Sequence, residues 1–287
     1  MSEIIRRYMS FDKFASLLLS KSIFLPKMTQ FSDDLEGGLP ASHFISMSND
    51  AAIFDLAVNG DWPREGGSPA ERERRLESNE ETRKQIDNRK FPTPFGMYES
   101  NDIATIHPKC REWIYVSCWN RSDVESMAMW KIYGESKNSV CLVSDKDSIL
   151  NSVWIADGVS VEFYDVDYID HDSYSEAFCD GNGFTPFRLK SREYQFENET
   201  RLVCLDPSVD LAVSEENPEN GMMIKIKDLS GLINKVVVSP DSDPWFKSVV
   251  EQFMGSLGIS GVVFDSDLKK ERSYEFWDNM IRLYDNK

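Results

Sequence analysis

The sequence predicts an α+β fold of mixed or antiparallel sheets with flanking helices. Runs of strand length outnumber regular alternations of strand and helix, which argues against a parallel βα series. With 41% hydrophobic and 28% charged residues over 287 positions, the chain has ample material for a core. No repeat and no low-complexity linker interrupts it. It therefore reads as a single domain over 1–287, with a charged helical insertion at about 50–110.

Taken in order, Ile4 to Tyr8 reads as a strand. Ser10 is placed to cap a helix, FDKFASLLLS, with Phe11, Phe14, Leu17 and Leu18 on one face. SIFLP is a second strand, and Pro26 to Pro40 is loop-like around DDLEGG. NDAAIFDLAV reads as a helix. SPAERERRLESNEETRKQIDNRK is rich in helix formers, but Leu76 and Ile86 are its only large apolar residues. That composition predicts a solvated helix or a mobile insertion rather than core. His107 precedes a proline and reads as an exposed turn residue.

WIYVSCW, Trp113 to Trp119, is a buried-strand pattern. SDVE sets Ser122 at a cap position with Glu125 three residues on, the spacing of a capping box. The helix it opens carries Met127, Trp130 and Tyr133 and stops near Gly134. SVCLVS and VSVEFYDVDYI are further strands. PFRLKSREYQ reads as a helix leading into the strand ETRLVCL. MMIKIK and NKVVVSP are two more strands. Asp243 and Pro244 stand in the order of cap and first helical residue before the amphipathic WFKSVVEQFMGSL. SGVVF is a last strand, and an aromatic-rich tail reads as helical.

A formal net charge of -17 opposes broad, non-specific nucleic-acid binding. Cys110, Cys118, Cys141, Cys179 and Cys204 form no CxxC pair, and His43, His107 and His171 are scattered, so no metal site is expected. An odd, dispersed set of cysteines reads as reduced thiols in a cytoplasmic protein. No apolar run reaches signal-peptide or membrane-spanning length, so no membrane partner is expected. The sequence has no GxGxxG after its first strand, no GxxxxGK[ST], no GxSxG and no HExxH.

The strongest chemical signal is YQFENETRLV, Tyr194 to Val203. In a strand, Glu197, Glu199 and Arg201 point to one face. Carboxylates two apart can divide labour: one stabilises positive charge developing on a sugar carbon, the other positions or deprotonates the incoming group. The same spacing fits a surface ion-pair ladder worth about 0–1 kcal/mol, and from spacing alone the ladder is the better account. Arg188, Lys190 and Arg192 precede it at helical spacing, facing either a phosphate-bearing ligand or solvent. In MAMWKIY, Met127 and Met129 read as the buried side of a helix. Trp130 and Tyr133, three apart, share a face that can line a pocket edge.

The order of these segments resembles a widespread bacterial domain-of-unknown-function family. RRYMSFDKFASLLLSKSIFLPKMTQFSDDLEG is similar to that family's opening Tyr-Arg-Tyr strand, helix, short strand and Phe-Asn-Asp-Pro-Phe-Glu loop. VSCWN with MWKIYGESKNSVCLV resembles its serine-bearing strand, Met-Trp-x-x-Tyr helix and following strand. FENETRLV resembles its Glu-x-Glu-x-Arg strand, and KVVVSPDSDPWFKSVVEQF to GVVFDSDL its closing segments. The likeness covers most of the chain except about 50–110. The loop here keeps Asp33, Asp34 and Glu36 but lacks the asparagine and proline, and Ser139-Val140 replaces a glycine-valine pair.

A second resemblance, to the ADP-ribosyltransferase superfamily, lies in the order of a basic residue on the first strand, a serine on a central strand and a later Glu-x-Glu. It implies an ADP-ribosyltransferase-like core and NAD as substrate. Arg7 (or Arg6), beside Tyr8, would hold NAD, and Ser117 would support the nicotinamide ribose. Trp119 or Tyr133 would stack on nicotinamide. Glu199 would be the catalytic glutamate, Glu197 the acceptor-positioning residue, and Arg201 a structural partner or a ligand contact. The implied role is a bacterial toxin or phage-defence effector that modifies an acceptor macromolecule, with an antitoxin or defence-system protein as partner. Two other readings stay open. Glu197, Glu199 and Asp33 or Asp34 can gather Mg²⁺ in a nuclease. A non-catalytic module can instead use residues 68–90 and the aromatic tail to bind a partner.

Overall fold

The computed structural model of the chain describes residues 3–31, 33, 35–59, 67–174 and 183–269. Cys179 and the aromatic tail lie outside them. In chain order the elements begin with β1 (Ile4–Ser10), α1 (Phe11–Ser20), β2 (Ser22–Pro26), α2 (Ala41–Met47), α3 (Asn49–Asn59) and α4 (Pro69–Asp87). The hairpin β3 (Lys90–Thr93) and β4 (Gly96–Glu99) precedes α5 (Ile103–Trp113), β5 (Tyr115–Arg121), α6 (Met127–Tyr133), β6 (Ser139–Asp145) and α7 (Lys146–Ser152). Then come β7 (Ser160–Asp165), β8 (Asp167–Ile169), β9 (Leu189–Ser191), β10 (Glu199–Leu205), β11 (Gly221–Lys225), α8 (Leu229–Leu232), β12 (Lys235–Val238), α9 (Phe246–Ser256) and β13 (Val263–Phe264).

The architecture is α+β. A seven-stranded mixed sheet runs β13-β12-β6-β1-β5-β10-β7, flanked by helices. Its pairings are antiparallel except β12 with β13. One face buries Ile5, Leu142, Trp119 and Leu202 with α1, α9 and the small β2–β11 sheet. On the other face Val116 and Val203 pack with α5, Phe184 and Phe187, while Tyr8, Cys141 and Val143 pack under Met129 and Trp130 of α6. The side chains alternate along each strand because successive Cβ atoms point to opposite faces.

Several local expectations are corrected. Ser122 does not cap a helix; its hydroxyl folds back on Val124, accepting from the amide nitrogen and donating to the carbonyl. Ser126 is the cap, accepting from Met129 N, and Glu125 instead accepts from Trp130 Nε1, Ser266 Oγ and Asp267 N. Pro244 lies in a turn ahead of α9, because the Asp243 carboxylate is engaged by Lys137 and Asn138. Met127 is exposed, whereas Met129 is buried as expected. PFRLKSREYQ is not a helix. Thr185–Arg188 and Arg192–Glu197 are 3₁₀ turns, and between them β9 pairs in parallel with β8. The charged α4 does begin with a capping box, Ser68 with Glu71, but α5 within the same stretch is core, burying Ile103, Ile106 and Cys110.

Candidate active site

Strand parity sorts the expected site residues. In antiparallel pairing, directly opposed residues share a face. Glu199 opposes Asn120 and Arg201 opposes Cys118, so these four lie together. Leu202 opposes Ser117 and Thr200 opposes Trp119, on the other face. Ser117 and Trp119 are accordingly buried in the opposite core, with Trp119 Nε1 donating to Ser117 Oγ at 3.1 Å. The structure does not bring either of them to Glu199.

Glu197 reaches the Glu199 face by a different route from the one its spacing implied. β10 begins only at Glu199, and Glu197 ends the preceding 3₁₀ turn. Asn198 between them is left-handed, φ 39° and ψ 59°, a conformation that asparagine tolerates better than most residues. Its amide donates to Arg121 O and its side-chain oxygen accepts from Arg121 Nη2. Asn120 Nδ2 donates to Glu197 O at 2.5 Å. The turn is thus fixed to β5.

The result is a buried charge cluster of five side chains. Lys190 Nζ lies 2.8 Å from Glu36 Oε1, 2.7 Å from Glu197 Oε2 and 3.1 Å from Glu199 Oε2. Arg201 Nε donates to Glu199 Oε1 at 2.9 Å, Nη2 to Glu36 Oε2 at 2.9 Å and Nη1 to Phe187 O at 3.0 Å. Tyr133 Oη donates to Glu197 Oε1 at 2.5 Å. All five charged residues are buried, so the surface ladder is excluded. Sequence spacing did not find Lys190 or tie Glu36 to the acids. The available signal was stoichiometry: two glutamates facing one arginine inside a core call for a second cation.

The two glutamates differ electrostatically. Burial opposes ionisation of Glu199, but the Arg201 and Lys190 charges outweigh it and hold its carboxyl at about 2. For Glu197 burial wins and the carboxyl is raised, against the bonds from Lys190 and Tyr133. Desolvation, then the Glu197 bond, keep the Tyr133 phenol protonated.

A cleft of about 650 Å³ opens beside this cluster. β1 and β5 pair only at Ile5–Arg121 and Arg6–Asn120, and the cleft lies where they diverge. Arg7, Tyr8, Tyr133 and Cys118 line it, with Phe31 and Lys13. Arg7 is half-buried and lies 5.8 Å from the Trp119 ring centroid. Among the described residues its guanidinium has no hydrogen bond and no carboxylate within ion-pair distance. Burial accordingly lowers its pKa. Arg6, by contrast, is a structural anchor, donating to Ser122 O at 3.0 Å and Asp123 O at 2.7 Å. Tyr8 is held by Ser126 N at 3.0 Å and packs edge-on against Trp130. Cys118 borders the cleft; desolvation, then the Glu199 carboxylate, keep its thiol protonated. Glu197 and Glu199 stand one side chain behind the wall, Glu197 behind Tyr133, which donates to it, and Glu199 behind Cys118, its neighbour across the strand pair.

Comparison with models of known protein families, with curated proteins and with solved structures returns no significant match. The functional reading rests on the geometry of the cleft and the cluster behind it.

Proposed function

We propose that the chain is an NAD-consuming enzyme of ADP-ribosyltransferase type, with the cleft between β1 and β5 as its nucleotide site. One observation carries the reading: the Arg7 guanidinium, unpaired among the described residues, lines the same cleft as Tyr133, which Glu197 backs. A half-buried cation without a counter-ion is matched to an anion such as a pyrophosphate. Tyr133 has one hydroxyl proton, and Glu197 accepts it. The phenol oxygen therefore offers only acceptor lone pairs to the cleft, suited to a ribose hydroxyl. As the glycosidic bond breaks, positive charge grows on the sugar carbon. The oriented phenol backed by a carboxylate then stabilises it in a desolvated setting.

The reading exchanges the roles that the resemblance implied for the two acids. Glu199 is held between two cations and serves the cluster, while Glu197 acts on the cleft through Tyr133. Ser117 has no part in it, and Trp119 enters only as the ring against which the Arg7 guanidinium lies, on the same side of the sheet. A magnesium nuclease draws no support from the same acids, because the Lys190 ammonium already occupies the place between the three carboxylates.

The test is consumption of NAD labelled in its adenylate half, with and without a cell extract as acceptor. Glu197→Gln is expected to lower turnover about 10²–10³-fold, as for loss of one charge-stabilising group. Tyr133→Phe is expected to lower it in the same direction. Equal turnover in wild type and Glu197→Gln, or none in wild type, would sink the proposal.

A further inference from the structure

We infer that Lys190 is a positioning residue of this site: its ammonium group sets the direction and the ionised state of the Glu197 carboxylate behind Tyr133. This rests on the reading that Glu197 and Tyr133 are the working pair.

An ammonium has three N–H donors. Lys190 donates to two carboxylates, Glu197 in a 3₁₀ turn and Glu199 on β10, and forms an ion pair at 2.8 Å with a third, Glu36 in a loop. It is buried among these acids and is not among the residues that line the cleft, so Lys190 acts through its neighbours. The three acids are not equally supplied. Glu36 and Glu199 each meet both Lys190 and Arg201, whereas Glu197 meets Lys190 alone among the described cations. Three carboxylates against two cations leave one surplus negative charge, and Glu197 is where it is least compensated. The groups facing Glu197 are Tyr133 from α6, Lys190 from β9, Glu199 from β10 and Tyr168 from β8, whose hydroxyl accepts from Glu199 N. Cys118 of β5 adjoins Tyr133 and Glu199, while Glu36 and Arg201 lie across Lys190. Within that set, Lys190 is the cation opposing desolvation of the Glu197 carboxylate.

The test uses the full chain labelled with ¹³C at the glutamate carboxyl carbon, the Glu197 resonance being the one lost in Glu197→Gln. Its titration is followed in wild type, Lys190→Met, Lys190→Arg and the double variant Glu36→Gln/Lys190→Met. The double variant removes one anion and one cation, so the surplus charge is unchanged and folding is protected. The Glu197 midpoint is expected to rise by about one pH unit or more in both methionine variants, tenfold in the protonated-to-ionised ratio, and to return toward wild type in Lys190→Arg. The low-pH limb of NAD consumption is expected to move with it. An unshifted midpoint in the double variant, or a shifted midpoint with an unmoved limb, overturns the inference. A wild-type chain that consumes no NAD fails the functional reading alone. The carboxyl titration then still decides whether Lys190 sets the ionisation of Glu197.

Discussion

His107 illustrates at residue scale how burial becomes pH dependence. Its place before Pro108 reads as an exposed turn, yet it lies inside α5, 5% exposed, stacked on Phe187 at 5.2 Å between ring centroids. Proline removes one helical bond, but the apolar face of Ile103, Ile106 and Cys110 holds the helix in place regardless. Burial, then the Arg111 charge, push the imidazole down to about 4 from an ordinary 6.5. Between these values the unfolded chain binds the proton and the folded chain does not, so stability rises with pH. The contribution is complete above about 6.5 and is lost as pH falls toward 4, by up to roughly 3 kcal/mol. Denaturant unfolding at pH 7, 6 and 5 is expected to show this decline in wild type and a flatter profile in His107→Gln. An identical decline in the variant would assign it to another group. Glu199, held at about 2, acts in a separate window: its stabilisation is present above about 4.5 and lost as pH falls toward 2.

At the scale of elements, the site depends on a turn that strand periodicity does not describe. The period of two correctly joined Glu199 with Arg201, but Glu197 is delivered by the left-handed Asn198. Likewise Arg188, Lys190 and Arg192 fit a helix face by local spacing, while in the structure only Lys190 lies in a strand, the three-residue β9 between two 3₁₀ turns, whose partner β8 lies about 20 residues earlier. Such non-local pairing leaves no local signature, and this is why Lys190 was not legible as part of the site. The β1, α1, β2 and β6 expectations succeeded because each carries its own apolar pattern. Substitutions at Asn198 test the turn. Asn198→Gly keeps access to positive φ but loses the bonds to Arg121; Asn198→Ala loses both and is expected to cost about 1–2 kcal/mol. Denaturation midpoints should therefore fall in the order wild type, glycine, alanine. Alanine equal to or above glycine would mean that backbone conformation is not what seats Glu197.

For the whole molecule, a field of one sign surrounds a site of the other. The formal net charge is -17, yet the cleft presents the guanidinium of Arg7, which has no counter-ion among the described residues. A pyrophosphate-bearing ligand such as ADP-ribose is repelled by the distant charges and attracted at contact. The two effects have different ranges. The Debye length falls from about 30 Å at 0.01 M salt to about 8 Å at 0.15 M, so added salt screens the distant repulsion more than a close, partly desolvated pair. Affinity for ADP-ribose is therefore expected to rise, or at least hold, as NaCl is raised from about 0.01 to 0.15 M, the reverse of an ordinary basic anion site. Titration calorimetry at the two concentrations reads this directly, with Arg7→Gln as the control that removes the contact and leaves the field. A steep loss of affinity with salt in wild type would mean that the cleft's own potential is positive over a longer range than one guanidinium supplies. Binding unchanged in Arg7→Gln would remove Arg7 from the proposed nucleotide site.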